Sequence, residues 1–224
     1  MGDKEKKVRE IFNSIQEKYD FLDTLISMGQ DERWRRFMVK NLDLRDNLEI
    51  LDCGAGTGKL TRQILESCKT CRTTCLDVTD TMFRPEIFPD TKFIVASAEK
   101  IPMPDESVDR VVSAFLTRNL ENVDNYFKEV HRVLRRGGIF INMDIFDPRM
   151  PVYRQFFSIY FYKIMPIIGN RMTGSRSYTY LAQSVKNFYD HGTLEEKISK
   201  SGISLKRSKS FMLGSVYVHI GTKT

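Results

Sequence analysis

Histidine and cysteine are scarce in this 224-residue chain, which holds three of the first and four of the second. His131, His191 and His219 are scattered, so no metal centre is expected. Four cysteines (Cys53, Cys68, Cys71, Cys75) are too few for a disulfide-dense miniprotein, and with no secretion signal in view they point to a reducing cytoplasm. Cys68-x2-Cys71-x3-Cys75 has the form of half a zinc site, but no second Cys/His pair follows. These cysteines therefore read as surface or half-buried residues between a helix and a strand. Long apolar runs are also missing. The most apolar stretch, 156–168, contains Lys163 and Pro166 and falls short of the roughly 20 residues that span a bilayer. The opening Met1-Gly2-Asp3-Lys4-Glu5-Lys6-Lys7 is charged, which predicts no signal peptide. Internal repeats and low-complexity tracts are absent.

Acid is scarce in one region only. Residues 149–224 carry 12 basic and 3 acidic side chains, against 10 and 9 in 1–45 and 13 and 17 in 46–148. The net charge of +6 is thus placed in the last third, over an acidic middle.

What is present is an alternation of strands and helices. Val8, Ile11, Phe12, Ile15 and Tyr19 recur at helical spacing, and a second helix around 31–42 carries the only tryptophan, Trp34. Strands are expected at 48–53, 73–77, 92–96, 109–115 and 139–145. Helices are expected at 59–67 and at 122–134, the latter ending at Gly137-Gly138 as a left-handed cap. Such alternation predicts an α/β fold with a parallel sheet covered on both faces. A helix at 194–201 and strands at 203–207 and 216–222, joined too closely for a helical crossover, add an antiparallel end. One domain is expected: N-terminal helices (1–45), a core (46–148), an apolar, aromatic and basic insertion (149–191) and a C-terminal helix with antiparallel strands (192–224).

Asp52-Cys53-Gly54-Ala55-Gly56-Thr57-Gly58 follows a strand and opens a helix, where glycines let the backbone approach a ligand. It lacks the Gly-Lys-Ser/Thr of a phosphate-cradling loop and departs from the dinucleotide spacing. Asp77, nineteen residues past Gly58, is at the distance of a carboxylate that grips ribose hydroxyls. The pair indicates an adenosine-bearing ligand, and without phosphate spacing a sulfonium cofactor fits better than NAD.

At these residues the chain resembles the class I S-adenosylmethionine-dependent methyltransferases, and more closely the ubiquinone/menaquinone-biosynthesis C-methyltransferase family. The resemblance runs from Phe12 to Lys223. It is carried by Lys18-Tyr19-Asp20-Phe21-Leu22-Asp23, by Ser27-Met28-Gly29 with Trp34-Arg35, by Ala98-Glu99-Lys100-Ile101-Pro102-Met103-Pro104-Asp105 and by Phe115-Leu116-Thr117-Arg118-Asn119-Leu120. Late in the chain it rests on Ser177-Tyr178-Thr179-Tyr180-Leu181-Ala182-Gln183-Ser184-Val185 and Gly214-Ser215-Val216-Tyr217-Val218-His219-Ile220-Gly221. It implies a Rossmann-like seven-stranded sheet, mostly parallel with a final antiparallel strand, N-terminal helices and a helical lid after strand five. It also implies S-adenosylmethionine against Asp52, Gly54, Gly56, Thr57, Gly58, Asp77, Ser97, Ala98 and Ala114. Ser97 stands where the family commonly has Asn or Asp, and Asp144 and Phe146 where Glu and Ser are usual.

The implied reaction is methylation of a ring carbon on a lipophilic demethylmenaquinol or ubiquinol precursor. In-line methyl transfer needs alignment and exclusion of water, and the ring oxygen gains negative charge that Arg118 with Asn119 would stabilise. Asp144, Asp23 or a water held by Arg118 and Asn119 are the candidate bases. Tyr178 and Tyr180 are expected to alternate along an extended piece, either closing over the ring or packing the lid onto the core. Another small-molecule or lipid acceptor stays open, as does a homodimer. An RNA-binding methyltransferase-like protein is a third reading, suggested by the basic last third, but nucleic acid is not expected because the aromatic residues there are embedded in apolar runs. The basic, aromatic insertion instead suggests a cytoplasmic protein whose lid rim touches the inner face of a membrane.

Overall fold

The apolar run behind the glycine loop becomes β1 (Glu49–Cys53), an interior strand of a seven-stranded sheet in the computed structural model, which describes residues 2–15, 24, 27, 29–81 and 85–224. The motif Lys18–Asp23, with Asp23 as a candidate base, lies outside the described residues, as does Met28. β2 (Arg72–Asp77) and β3 (Lys92–Val95) lie on one side of β1. β4 (Val108–Ala114) and β5 (Leu134–Ile145) lie on the other. All five are parallel. β6 (Ile203–Phe211) forms the far edge. The last strand, β7 (Val216–Lys223), slots between β5 and β6 and runs antiparallel to both.

Helices cover both faces. On one, α2 (Asp31–Lys40) and α3 (Lys59–Ser67) bury Trp34, Met38 and Ile64 against Ile50, Val112 and Ile141. On the other, α4 (Val123–Val133) presents Tyr126, Phe127, Val130 and Val133, all fully buried, to Leu51, Val111 and Phe140. Burying each such side chain stabilises by about 1.5–3 kcal/mol. Asn122 caps α4 by accepting from Asn125 N, and Asp190 caps α8 (His191–Lys200) by accepting from Gly192 N and Thr193 N. α1 (Asp3–Ile15) lies over the carboxyl edge of the sheet. The insertion folds as α5 (Pro151–Ile159), a π-helical turn (Tyr160–Ile164), α6 (Met165–Thr173) and α7 (Ser177–Lys186).

Three local expectations change. α4 stops at Val133, where Leu134 turns extended (φ −65°, ψ 135°), so Gly137-Gly138 is not its cap. The glycines instead fill the register shift between the pairs Val108↔Leu134 and Arg110↔Ile139, where a Cβ on Gly138 would lie 2.8 Å from Arg135 O. Residues 177–186 are helical, not extended. Cys68 and Cys71 are joined by a disulfide and buried, with Cα atoms 5.4 Å apart, in place of the expected reduced, half-exposed pair.

Candidate active site

The strand order reverses between β1 and β4, so a crevice opens beyond their carboxyl ends. Gly54 N and Ala55 N donate to Leu76 O (2.7 and 3.2 Å), which folds the loop back over β2. Gly54 has φ +67°, and a Cβ there would meet Leu116 Cδ1 at 2.9 Å; Gly58 has φ +80°, and its Cβ would come within 2.6 Å of the Phe88 ring. Only glycine suits both positions. Phe88 comes from 85–91, which forms no helix and stands where the sequence shows Pro85 and Pro89.

Asp77 ends β2 inside this crevice. Its Oδ2 accepts Gly56 N (3.0 Å) and its Oδ1 accepts Thr79 N (3.1 Å), tying strand and loop together. Burial pushes its carboxyl above the ordinary range, while these hydrogen bonds pull the other way. The pocket walls are Val8, Gly54, Gly56, Leu76, Asp77, Val78, Ala96, Ser97, Ala98, Glu99, Ala114, Phe115, Leu116, Asn119 and Leu120. Two carboxylates and no cation are among them. That donor set suits a cationic, adenosine-bearing group and repels a phosphate. The apolar Leu76, Val78, Ala98 and Leu120 suit the base, and Asp77 the ribose diol.

Six of the nine residues expected at the cofactor line this pocket: Gly54, Gly56, Asp77, Ser97, Ala98 and Ala114. Asp52, Thr57 and Gly58 do not. Asp52 lies beneath the loop, accepts from Thr61 Oγ1 (2.7 Å) and is pushed by burial up to about 7. It holds α3 to β1.

Beyond β4 the chain makes a tight turn. Phe115 takes φ +62°, a strained conformation for a bulky side chain. It is held by Phe115 N donating to Met143 O (2.7 Å) and by its carbonyl accepting from Arg118 Nη1 (2.7 Å) and Asn119 Nδ2 (3.1 Å). Asp144 at the end of β5 is fully buried and accepts from Thr117 Oγ1 (2.6 Å), Arg118 N (3.0 Å), Arg118 Nη1 (2.6 Å) and Ile145 N (2.8 Å). With its oxygens so occupied, Asp144 positions Arg118 and the turn. Arg118 in turn stacks on the Phe115 ring at 5.5 Å and keeps a buried Nε–H with no hydrogen-bond partner.

Phe115 is shared by a second pocket of about 140 Å³, apolar and walled by Trp34, Phe115, Ile145, Tyr153, Phe157, Tyr160, Phe161 and Val216, with Phe156 at its surface end. The buried Trp34 Nε1–H has no partner. No carboxylate or imidazole lines this pocket among the described residues. Arg118 lines neither pocket. Its open side faces a polar groove of about 430 Å³ with Lys4, Lys7, Gln183 and Tyr180.

Of the four residues expected to be catalytic, only Asn119 borders the donor pocket. Tyr178 is buried between Met165 and Leu181 and packs the lid. Residues two apart on a helix face opposite ways, and Tyr180 is the one whose hydroxyl donates to Asn119 Oδ1 (3.3 Å). Sequence reasoning missed Trp34 and Phe115 as site residues. Trp34 was visible as the only tryptophan, beside a motif, but nothing in the sequence announces a positive φ at Phe115.

Comparison with known proteins agrees with this fold. A ubiquinone/menaquinone biosynthesis C-methyltransferase from Hahella chejuensis is 30% identical over 231 residues, covering 99% of this chain and 93% of its own. Another from Geotalea uraniireducens is 32% identical over 238 residues, covering 100% and 99%. Among solved structures, a Thermotoga maritima S-adenosylmethionine-dependent methyltransferase superposes with a TM-score of 0.66 at 17% identity, covering 96% of this chain and 99% of its own. A phosphoethanolamine N-methyltransferase from Haemonchus contortus, in complex with S-adenosylhomocysteine, gives 0.62 at 13% identity, covering 85% and 52%. A model of the ubiE/COQ5 methyltransferase family matches residues 1–223, and the chain belongs to that family.

Proposed function

We propose that this S-adenosylmethionine-dependent methyltransferase alkylates a ring carbon of a quinol that carries an apolar tail, of the demethylmenaquinol or ubiquinol-precursor class. One observation carries the reading: the donor pocket and the apolar pocket share Phe115 as a common wall. S-adenosylmethionine supplies an electrophilic methyl group on a sulfonium. The chain supplies enclosure and alignment, and the proton that the ring carbon gives up passes to water, since no carboxylate or imidazole lines the apolar pocket among the described residues. Asp77 and the glycine loop hold the adenosine end, and the aromatic walls of the second pocket enclose a flat ring and exclude water.

The strained Phe115 turn sets the distance between the two. Asn119, at the donor side, is kept in place by Tyr180 and by its own bond to Phe115 O. Trp34 adds its ring to the aromatic wall of the apolar pocket beside Phe115. The Arg118–Asp144 pair acts one layer behind, through the Phe115 carbonyl, and fixes the geometry within which the methyl is passed. The experiment is transfer of labelled methyl by the purified protein to quinols of different tail lengths, with RNA and an untailed phenol as comparison acceptors. Label is expected in the tailed quinol. Label only in another acceptor, or none in the lipid fraction, overturns the reading.

A further inference from the structure

We propose that the outer face of α5, the π turn and α6 docks onto an anionic lipid bilayer, and that the apolar pocket opens through that face into the lipid. The proposal deepens the quinol reading and rests on it, because only a lipid-dissolved acceptor needs a pocket mouth set in a membrane.

Twelve large apolar side chains stand exposed among the described residues, and eight of them fall within 150–172. Such clustering exceeds the single exposed leucines that any surface carries. Val152 is 72% exposed, Phe156 67%, and Ile159 43%. Their spacing of four and three makes one stripe of α5. A regular helix would carry the next apolar residues off that stripe. Here Met165 N donates to Tyr160 O, five residues back, so the π turn absorbs one extra residue. Ile159 and Ile164 are thereby one turn apart, and the exposed Ile167, Ile168 and Met172 continue the apolar surface along α6.

Charge complements this surface. Residues 149–189 contain no aspartate or glutamate and six cations; Arg149 and Arg154 pair with Asp190 and Asp147 at the ends of the segment, while the exposed Lys163 and Arg171 form no ion pair among the described residues. A second copy of the chain packed here about a twofold axis would set these unpaired cations against one another. An anionic bilayer meets both features, taking the apolar stripe at the acyl boundary and the cations at the headgroups.

The link to the site is Phe156. It is exposed on this face and also lines the apolar pocket beside Tyr153 and Phe157. The pocket holds about 140 Å³, which accommodates a ring but not an isoprenoid tail. The tail then leaves past Phe156 into the bilayer without crossing water.

The test uses the full chain and two variants away from the pocket: Val152→Glu with Ile167→Glu, and Lys163→Ala with Arg171→Ala. Co-sedimentation is measured with vesicles of 30:70 anionic to neutral lipid and with purely neutral vesicles. Methyl transfer is measured to a long-tailed quinol in vesicles and to a short-tailed, water-soluble quinol in buffer. Wild-type protein is expected on the anionic vesicles, with each double variant released by roughly tenfold or more. The long-tailed rate should fall in parallel while the short-tailed rate and the melting temperature hold. Equal vesicle binding by wild type and both variants overturns the proposal. So does a dimer mass for the wild type that Val152→Glu with Ile167→Glu abolishes while vesicle binding is absent throughout. If wild-type protein methylates neither quinol, it is the quinol reading that fails, whatever the vesicles show.

Discussion

Asp77 is the residue on which the donor pocket turns, and Asp77→Asn isolates its charge with little change of shape. Hydrogen bonds to a charged group contribute about 1.5–3 kcal/mol, so the Kd for S-adenosylmethionine should rise by roughly 10- to 100-fold in calorimetry. His219 offers a second residue-scale expectation. It is fully buried on β7, forms no hydrogen bond, and packs edge-on against Phe146 with Tyr217 above it. Glu195 lies 3.7 Å from its Nε2, and His191 and Asp144 are the other charged or titratable neighbours. Burial lowers its pKa to about 4. A lowered imidazole pKa means that the unfolded chain binds the proton first. The associated stability is therefore complete above about 6.5 and is lost as pH falls toward about 4. Urea titrations of His219→Leu against wild type should show the wild type losing about 2 kcal/mol relative to the variant between pH 7.5 and 5. An unchanged difference would show that His219 does not titrate in this way. The place of Asp77 beside the glycine loop was legible from its distance to the glycines, since one helix and one strand bring the end of β2 next to the end of β1. Phe115 was not, because its role depends on backbone torsion and on two carbonyl bonds from residues three and four positions on.

The Arg118–Asp144 pair joins the turn after β4 to the end of β5, and its value belongs to these elements rather than to a reacting atom. Asp144→Asn should destabilise the fold by about 3–5 kcal/mol, because Arg118 would be left buried and unpaired. Denaturant midpoints check this, and a midpoint within error of wild type would remove the positioning role. The parallel strands and their helices were readable because apolar runs and helical spacing coincide in each. Residues 177–186 misled because Tyr178 and Tyr180 alternate, whereas Tyr178, Ala182 and Val185, at helical spacing, are the residues that bury. Gly137-Gly138 misled similarly, since a glycine pair serves a strand irregularity as well as a helix end. The antiparallel end was expected, but which strand takes the edge is decided by pairing. β7 has the longer apolar face, with Val216, Val218 and Ile220 buried, and takes the interior place, while the polar run 206–210 of β6 stays at the rim.

Across the whole molecule, the disulfide departs furthest from expectation, since cysteine spacing alone leaves thiol and disulfide open. Cys53 and Cys75 are free and buried, with burial driving both thiols upward, so an exposed-thiol reagent should label neither in the native protein. Denaturant should reveal two reactive thiols, and denaturant with reductant four. Four without reductant would show that Cys68 and Cys71 are not joined. Part of the uneven charge that the sequence displayed falls on the lid, where six of the twelve basic residues of the last third lie, while no cation is among the described residues that line the donor pocket. Finally, α1 carries a kinetic consequence. Its Val8 forms part of the donor-pocket wall, and its Lys4 ammonium donates to the carbonyls of Arg118 and Leu120, the same turn that holds Asn119. Were release of spent cofactor to need this helix to lift, release rather than methyl transfer would pace turnover. Pre-steady-state mixing should show a burst of one methylated product per protein before the steady rate. Lys4→Ala should raise that steady rate while leaving the burst unchanged.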